Sequence, residues 1–182
     1  MRLLERTMKI CCVTFNTYLC AFALLGLCGC LTDQGNETKP SKQMSSLRIH
    51  CETVSGGSTP GIEVPIWRAA PALVPIDRAA FVTEANVMAA AVVDQPGGFA
   101  IEVQLDRQGT WLLEKNTVLI RGRRLAIFGE FGQDRWLAAP VISKVISNGR
   151  LVFTPDATRE EAERLVLGLN NVSRKLKTKN NW

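Results

Sequence analysis

The clearest hydrophobic pattern of the chain lies between residues 122 and 169. Three runs rich in β-branched and aromatic residues, separated by polar and glycine-containing turns, predict three strands within 122–130, 135–146 and 150–154. Thr158 and Glu161 then show the spacing of a capping box, in which each side chain bonds a backbone N–H of the other residue. Helical spacing follows on one face, at Ala162, Leu165, Val166 and Leu169. A helix is therefore predicted from Thr158 to Leu169.

Alternation of apolar and polar residues predicts further strands upstream. In residues 47–54 it points Leu47, Ile49 and Cys51 inward and Arg48, His50 and Glu52 toward solvent. In residues 99–105, after a turn signal at 94–98, it points inward Phe99, Ile101, Val103 and Leu105. Residues 62–75 contain three prolines, so irregular or edge structure is predicted there.

A first helix is predicted over residues 110–119, with Asp106 as its cap and Gly122 at its C-terminal end. The order of elements is then strand, loop, two strands, helix, three strands and helix. This order predicts a single α+β domain, a mostly antiparallel sheet with two helices packed on one face.

The N-terminal region has the layout of a secretory signal. Basic residues precede an apolar segment, 10–27, which ends in Leu-Cys-Gly-Cys at residues 27–30. This ending resembles a bacterial lipobox and predicts cleavage before Cys30, with lipid on its sulfur. An uncleaved membrane anchor is the alternative, since the apolar run is almost long enough to span a bilayer. Translation starts at Met1 or Met8.

These features divide the chain into four parts. Residues 1–29 are predicted to be a signal peptide, 30–46 a lipid anchor and flexible tether, 47–173 the folded domain, and 174–182 a basic tail. The domain is therefore predicted to be exported and held at the periplasmic face of the inner or outer membrane.

Composition narrows the possible partners. The 182 residues are 46% hydrophobic and 21% charged, as in an ordinary globular domain. The net charge of +5 comes partly from the N-terminal region, and an exported protein is not expected to bind nucleic acid. Of the six cysteines only Cys51 lies beyond Cys30, so neither a disulfide framework nor a metal knuckle is predicted.

Four short motifs, taken in order, resemble the periplasmic P1 head subdomain of SecD, an accessory subunit of the bacterial protein-export translocon. They are Gly-Arg-Arg-Leu-Ala-Ile-Phe at 122–128, Ala-Ala-Pro-Val-Ile at 138–142, Asn-Gly at 148–149 and Ala-Thr-Arg-Glu-Glu-Ala at 157–162. The sequence departs from the family pattern at Ala138, Pro155 and Ala157. The resemblance extends back to about Leu47 and implies a head that contacts preproteins leaving the translocon.

The sequence contains no convincing catalytic constellation. His50 and Cys51 are adjacent in a predicted strand, so their side chains point to opposite faces and cannot form a dyad. No metal-ligand spacing or phosphate-binding loop is present. We therefore predict a non-enzymatic protein with no cofactor, no metal and no small-molecule substrate.

Two candidate contact surfaces remain. The first is an edge strand, predicted to accept extended polypeptide by strand addition. It comprises Ala138, Ala139, Pro140, Val141 and Ile142. Pro140 has no backbone N–H, so the edge is expected to lack one hydrogen-bond donor. A basic tail is predicted to touch anionic lipid headgroups, through Arg174, Lys175, Lys177, Lys179 and Trp182. The alternative for the tail is a solvated helix end.

Three tryptophans could line a peptide groove, although core packing is the default for such residues: Trp67, Trp111 and Trp136. The leading hypothesis is a membrane-anchored binding module that contacts exported or unfolded polypeptide. The alternative is a scaffolding lipoprotein that binds one fixed envelope protein.

Overall fold

A computed structural model describes residues 42–54 and 61–180. Within these ranges the chain forms nine strands and two α-helices. In chain order they are β1 (Ser46–Cys51), β2 (Ile62–Ile66), β3 (Ala72–Ile76), β4 (Val82–Thr83), β5 (Val87–Gln95), β6 (Gly98–Leu105), α1 (Arg107–Leu119), β7 (Leu125–Glu130), β8 (Asp134–Ala138), β9 (Arg150–Phe153) and α2 (Arg159–Asn180). A single 3₁₀ turn, Glu84–Asn86, links β4 to β5.

The strands form three antiparallel sheets rather than one. The largest has the order β4-β1-β7-β8, the hairpin β2-β3 forms the second, and β5-β6-β9 forms the third. The predicted α+β class with antiparallel pairing and two helices is confirmed.

The main core lies between the four-stranded sheet, the three-stranded sheet and the two helices. The inward residues predicted for β6 are confirmed, since Ile101, Val103 and Leu105 are buried and Phe99 packs against the core. In α2, Leu165 and Leu169 are buried as predicted. Their burial places the apolar stripe of α2 against the sheets and leaves its charged side in solvent.

The β2-β3 hairpin forms a second, smaller core on the outer face of the four-stranded sheet. Its apolar face packs on Ala126 and Ala139 and consists of Val64, Ile66, Val74 and Ile76. Of the two possibilities predicted for 62–75, irregular or edge structure, the edge is therefore the one that forms. The prolines are tolerated because each strand of a two-stranded sheet is an edge strand, where a missing N–H breaks no internal ladder.

His50 is buried, contrary to the prediction that it faces solvent. Its side chain is only 7% exposed, its Nδ1 lies 2.9 Å from the Asp77 carbonyl oxygen, and its ring meets Trp136 edge-on at 5.3 Å. Alternation placed His50 correctly on the outer face of β1. The hairpin then covers that face, so the outer side of the sheet is not uniformly wet.

Both helices differ in length from their predictions. Asp106 caps α1 as predicted, accepting a hydrogen bond from the Gly109 N–H at 2.6 Å, but the helix already begins at Arg107. The capping box that starts α2 is present, since Thr158 and Glu161 exchange side-chain bonds of 2.8 and 3.2 Å with each other's N–H groups. Helix α2 then continues to Asn180. Among the described residues, neither helix is both long and apolar enough to cross a membrane.

Candidate polypeptide-binding edge

The predicted edge, residues 138–142, continues from the end of β8. Ala138, Ala139 and Ile142 are buried, Pro140 is half-buried, and Val141 is 57% exposed. The regular strand ends at Ala138, and the next paired residue is Val141, which forms an isolated bridge with Arg124 of the opposite chain segment. The segment is therefore an extended continuation of β8 that pairs loosely with the start of β7.

Hydrogen bonds tie only one side of this segment to the chain before β7. Leu125 donates its N–H to the Pro140 carbonyl at 3.0 Å, and Ile142 donates to the Arg123 carbonyl at 2.8 Å. A residue flanked by such bonds in an antiparallel pair directs its own N–H and C=O away from the partner. Val141 therefore presents both backbone groups outward beside an exposed side chain.

Pro140 does not weaken the outward edge. Its carbonyl faces Leu125, and the N–H and C=O of one extended residue point to the same side of the strand. The donor that proline lacks thus belongs to the inner side, contrary to the expectation that it removes one from the edge. By the same alternation, the backbone of Ala139 faces outward with that of Val141.

The edge is limited on the β8 side. Asp156, which follows β9, donates its N–H to the Leu137 carbonyl at 2.7 Å. The backbone of β8 is therefore already occupied at Leu137, and Ala139 is buried, so Val141 is the exposed outward-facing residue of the segment.

The tip of the β2-β3 hairpin is fixed beside this boundary. The Arg68 N–H donates to Asp156 Oδ2 at 2.6 Å, and the Arg68 Nε lies 3.5 Å from Asp156 Oδ1. Its neighbour Trp67 has a φ of 69°, the left-handed region that side chains other than glycine rarely adopt. The bonds of Arg68 hold Trp67 in this conformation at the surface, close to where the open edge begins.

A charged cluster connects the hairpin, β8 and α2. Arg135 donates from Nη2 to Glu161 Oε2 at 2.7 Å, and Arg68 Nη2 lies 3.8 Å from the same oxygen. The hydrogen bond from Arg135 lowers the pKa of the Glu161 carboxyl, and the bond from the Thr158 N–H and the charges of both arginines act in the same direction. The carboxylate thus serves as a structural anchor for the start of α2.

Other sheet edges differ in how open they are. The outer edge of β5 is covered by side chains of α2, including Ser173, whose hydroxyl donates to the Met88 carbonyl at 2.8 Å. The outer edge of β9 is partly open. There the Arg150 N–H is taken by Asn148 Oδ1 at 3.0 Å, while Val152 lies opposite Glu102 with an exposed side chain. Strand β9 is therefore one competing edge for an added strand.

The three tryptophans do not form one groove. Trp67 lies at the hairpin tip, Trp111 on the solvent side of α1, and Trp136 on β8, where its ring contacts His50 and Phe128. No two tryptophan rings contact each other within the described ranges. A tryptophan-lined peptide site is thus not assembled.

Of the predicted membrane contacts, the basic side chains of Arg174, Lys175, Lys177 and Lys179 are exposed on the last turns of α2. They belong to a helix end rather than to a chain segment beyond it. Cys30 and Trp182 lie outside the described residues, so their assignments remain predictions.

Cys51 has the properties of a packing residue. Its thiol is partly buried and lies 3.5 Å from Asn116 Oδ1, and burial raises the pKa of the thiol to about 11, with the charge of Asp77 adding to the effect. A thiol with such a pKa is a poor nucleophile at neutral pH. Residues 42–54 and 61–180 contain no group of three side chains suited to hold a metal ion.

Comparison with known proteins identifies the fold family. The family described as SecDF, P1 head subdomain, matches residues 65–173. A solved structure of a membrane component SecDF that enhances protein export is 22% identical with a TM-score of 0.51, over 71% of this chain and 63% of that one. A structure of SecDF in a super-membrane-facing form is 21% identical with a TM-score of 0.51, over 71% of this chain and 19% of that one.

The chain belongs to the SecDF P1 head family, as its motifs predicted. It therefore has the fold of an accessory module of protein export. It spans 63% and 19% of the lengths of the two SecDF chains. No curated protein sequence matches it.

Proposed function

We propose that this protein is a lipid-anchored module of the cell envelope that contacts exported or unfolded polypeptide without catalysing a reaction. Membership of the SecDF P1 head family supports a role beside exported chains. The observation that carries the proposal is the outward-facing backbone of Val141, next to a side chain in solvent.

Strand addition at this edge accounts for a client that has no fixed sequence. An extended chain would bond the outward N–H and C=O groups of Val141, and backbone groups are common to every polypeptide. The open stretch is short because Asp156 occupies Leu137. Binding is therefore expected to be weak, to tolerate many sequences, and to persist in moderate salt because backbone and apolar contacts are little screened.

The anchor supplies what a weak site lacks. Lipid on Cys30 would hold the domain at the periplasmic face of the inner or outer membrane, where exported chains emerge. A tethered site meets its client at a high local concentration, so low intrinsic affinity is compatible with this role.

The test measures binding of one client protein to the full chain reconstituted in lipid nanodiscs. The client is titrated once in its reduced, unfolded form and once in its folded form, and empty nanodiscs serve as the blank. The unfolded client alone is expected to bind. Val141→Glu should weaken that binding about tenfold, or ~1.4 kcal/mol, since it places a solvated charge at the contact.

Val152→Glu on β9 is the matched control, because Val152 is also an exposed valine on an open edge. It should leave binding unchanged. The reverse result would move the site to β9. Equal binding of folded and unfolded client, abolished by salt, would contradict the polypeptide-handling role and favour the alternative, a scaffolding lipoprotein bound to one fixed envelope protein.

A further inference from the structure

The solvent side of α1 is unusually apolar. Trp111, Val118 and Leu119 are 58%, 56% and 63% exposed, while Leu113 and Thr117 on the opposite side are buried. Trp111 and Val118 are seven residues apart, so both lie along one stripe of the helix. None of these three side chains belongs to either core, and none is used by the polypeptide-binding edge.

Basic residues outnumber acidic ones along α1 and the turn that follows it. The stretch from Arg107 to Arg124 carries five basic residues and a single acidic one, Glu114. Lys115 lies on the stripe itself, with its Nζ 5.2 Å from the centre of the Trp111 ring.

The loop beside the C-terminal end of α1 continues this character. Arg121 Nε donates to the Ser143 carbonyl at 3.4 Å, and the next two residues, Lys144 and Val145, are exposed. Apolar side chains next to basic ones suit the surface of an anionic bilayer. The apolar side chains can contact the acyl chains, and the basic side chains can contact the phosphate groups.

A turn of α2 bonds the same short segment, 86–88, as the residue that caps α1. Asp106 donates its N–H to the Asn86 carbonyl at 2.8 Å, and Ser173 donates to the Met88 carbonyl at 2.8 Å. Ser173 and the N-cap of α1 thus both border residues 86–88, and α2 continues from Ser173 to Asn180. Arg174, the first exposed basic residue of this part of α2, therefore directly follows a residue that lies near the start of α1.

The length of chain before the domain limits its distance from the bilayer. Gln43 is held against α2 by bonds to Asn171 Nδ2 at 2.9 Å and to the Arg164 carbonyl at 3.1 Å. Twelve residues lie between it and Cys30. Such a segment spans at most about 45 Å, which keeps the domain within reach of the bilayer that holds the lipid.

We propose that the outer face of α1, centred on Trp111, Val118 and Leu119, rests on the anionic phospholipid surface to which the chain is tethered. The proposal rests on the lipid anchor of the proposed function. It orients the domain, since α1 would face the bilayer while Val141 stays available to a client.

Trp111 itself reports the contact. The full chain is reconstituted in vesicles of lipids with brominated acyl chains. The vesicles contain either phosphatidylcholine alone or phosphatidylcholine mixed with phosphatidylglycerol. Quenching of tryptophan fluorescence by the bromine atoms is then measured. Phosphatidylglycerol is expected to increase the quenching of the wild type. Trp111→Phe should lose most of that increase, whereas the matched control Trp67→Phe should retain it.

Charge and shape are tested with Trp111 in place. The double variant Lys115→Glu with Arg121→Glu, and separately Val118→Glu, should each lose most of the phosphatidylglycerol-dependent quenching. All of these positions are exposed, so thermal unfolding should remain at the wild-type temperature. Full retention of the quenching in Trp111→Phe, or the same quenching without phosphatidylglycerol, would overturn the proposal.

The lipid proposal would also be overturned if α1 binds a protein instead. In that case a photo-crosslinker at position 118 would give a protein adduct, and brominated lipid would not quench the tryptophan fluorescence. Client binding and lipid contact can be tested independently of each other. Val118→Glu should leave client binding intact, and Val141→Glu should leave quenching intact. Lipid labelling of the Cys30→Ser variant tests the anchor alone.

Discussion

The side-chain amide of Asn170 in α2 forms two hydrogen bonds with the backbone of Ala90 in β5. Nδ2 donates to the Ala90 carbonyl and Oδ1 accepts from the Ala90 N–H, each at 2.9 Å. A neighbouring strand would use the same two groups. The helix therefore occupies an edge of the three-stranded sheet that would otherwise be free to pair with another chain.

Asn170→Ala is expected to lower the free energy of unfolding by about 1–3 kcal/mol, since it leaves two backbone groups of a buried residue unpaired. Chemical denaturation measures the change. Thr178→Ala is the matched control, because Thr178 is exposed on the same helix and should change stability by no more than about 0.5 kcal/mol. Similar changes in both variants would mean that the two bonds to Ala90 do not stabilise the fold.

Glu161 should make stability depend on pH. Because the Arg135 hydrogen bond lowers its folded-state pKa below the ordinary 4.5, its contribution is complete above that value and is lost as pH falls through the folded-state pKa. Glu161→Gln should cost about 1–3 kcal/mol at neutral pH. The difference from wild type should shrink in acid.

Unfolding free energies of both proteins across the acidic range measure this effect. Glu163→Gln, on the exposed side of the same helix, is the control and should cost no more than about 0.5 kcal/mol. A difference between wild type and Glu161→Gln that stays constant down to strongly acidic pH would show that the carboxylate charge does not stabilise the fold.

Gly168→Ala should destabilise the protein although alanine is favoured by about 1 kcal/mol in a helix. A Cβ at position 168 would lie 2.0 Å from Ser45 Oγ and 2.7 Å from the Ser45 backbone nitrogen. The backbone atom cannot rotate away, so a net loss of about 1–3 kcal/mol is expected. Thermal unfolding beside the exposed control Glu163→Ala measures it. A stabilised variant would contradict the close approach of α2 to the start of β1.

Cys30→Ser tests the anchor in cells. If the lipobox is read as predicted, the variant should accumulate as an unprocessed precursor and incorporate no labelled fatty acid. Cys28→Ser is the matched control and should be processed normally. Undiminished lipid labelling of Cys30→Ser would assign the modification elsewhere.

Much of the secondary structure could be predicted from the sequence because it depends on interactions between residues close together in the chain. The capping box of Thr158 and Glu161, and the cap at Asp106, involve residues three positions apart, so their partners are known before the chain folds. The alternation in β6 likewise needs only one buried face. The order of the four motifs identified the family for the same reason, since each motif specifies a local element.

Contacts between distant segments decided the rest. His50 is buried because a hairpin from later in the chain covers the outer face of its strand. Helix α2 extends past Leu169 because the polar side chains of Asn170, Asn171 and Ser173 bond backbone groups of β5 and of Gln43, a role that no hydrophobic pattern encodes.

The candidate surfaces divide in the same way. Proline and small residues in 138–142 indicated an edge, but the side to which Val141 directs its backbone depends on register with residues 123–125, about seventeen positions away. The seven-residue spacing of Trp111 and Val118 means that they share one helix face, but only the packing of α1 left that face uncovered. The local sequence determines which backbone groups and apolar side chains a segment exposes when it forms a strand or helix. Tertiary contacts then determine which of them stay exposed to solvent, because the groups that pack or pair are covered by segments distant in sequence.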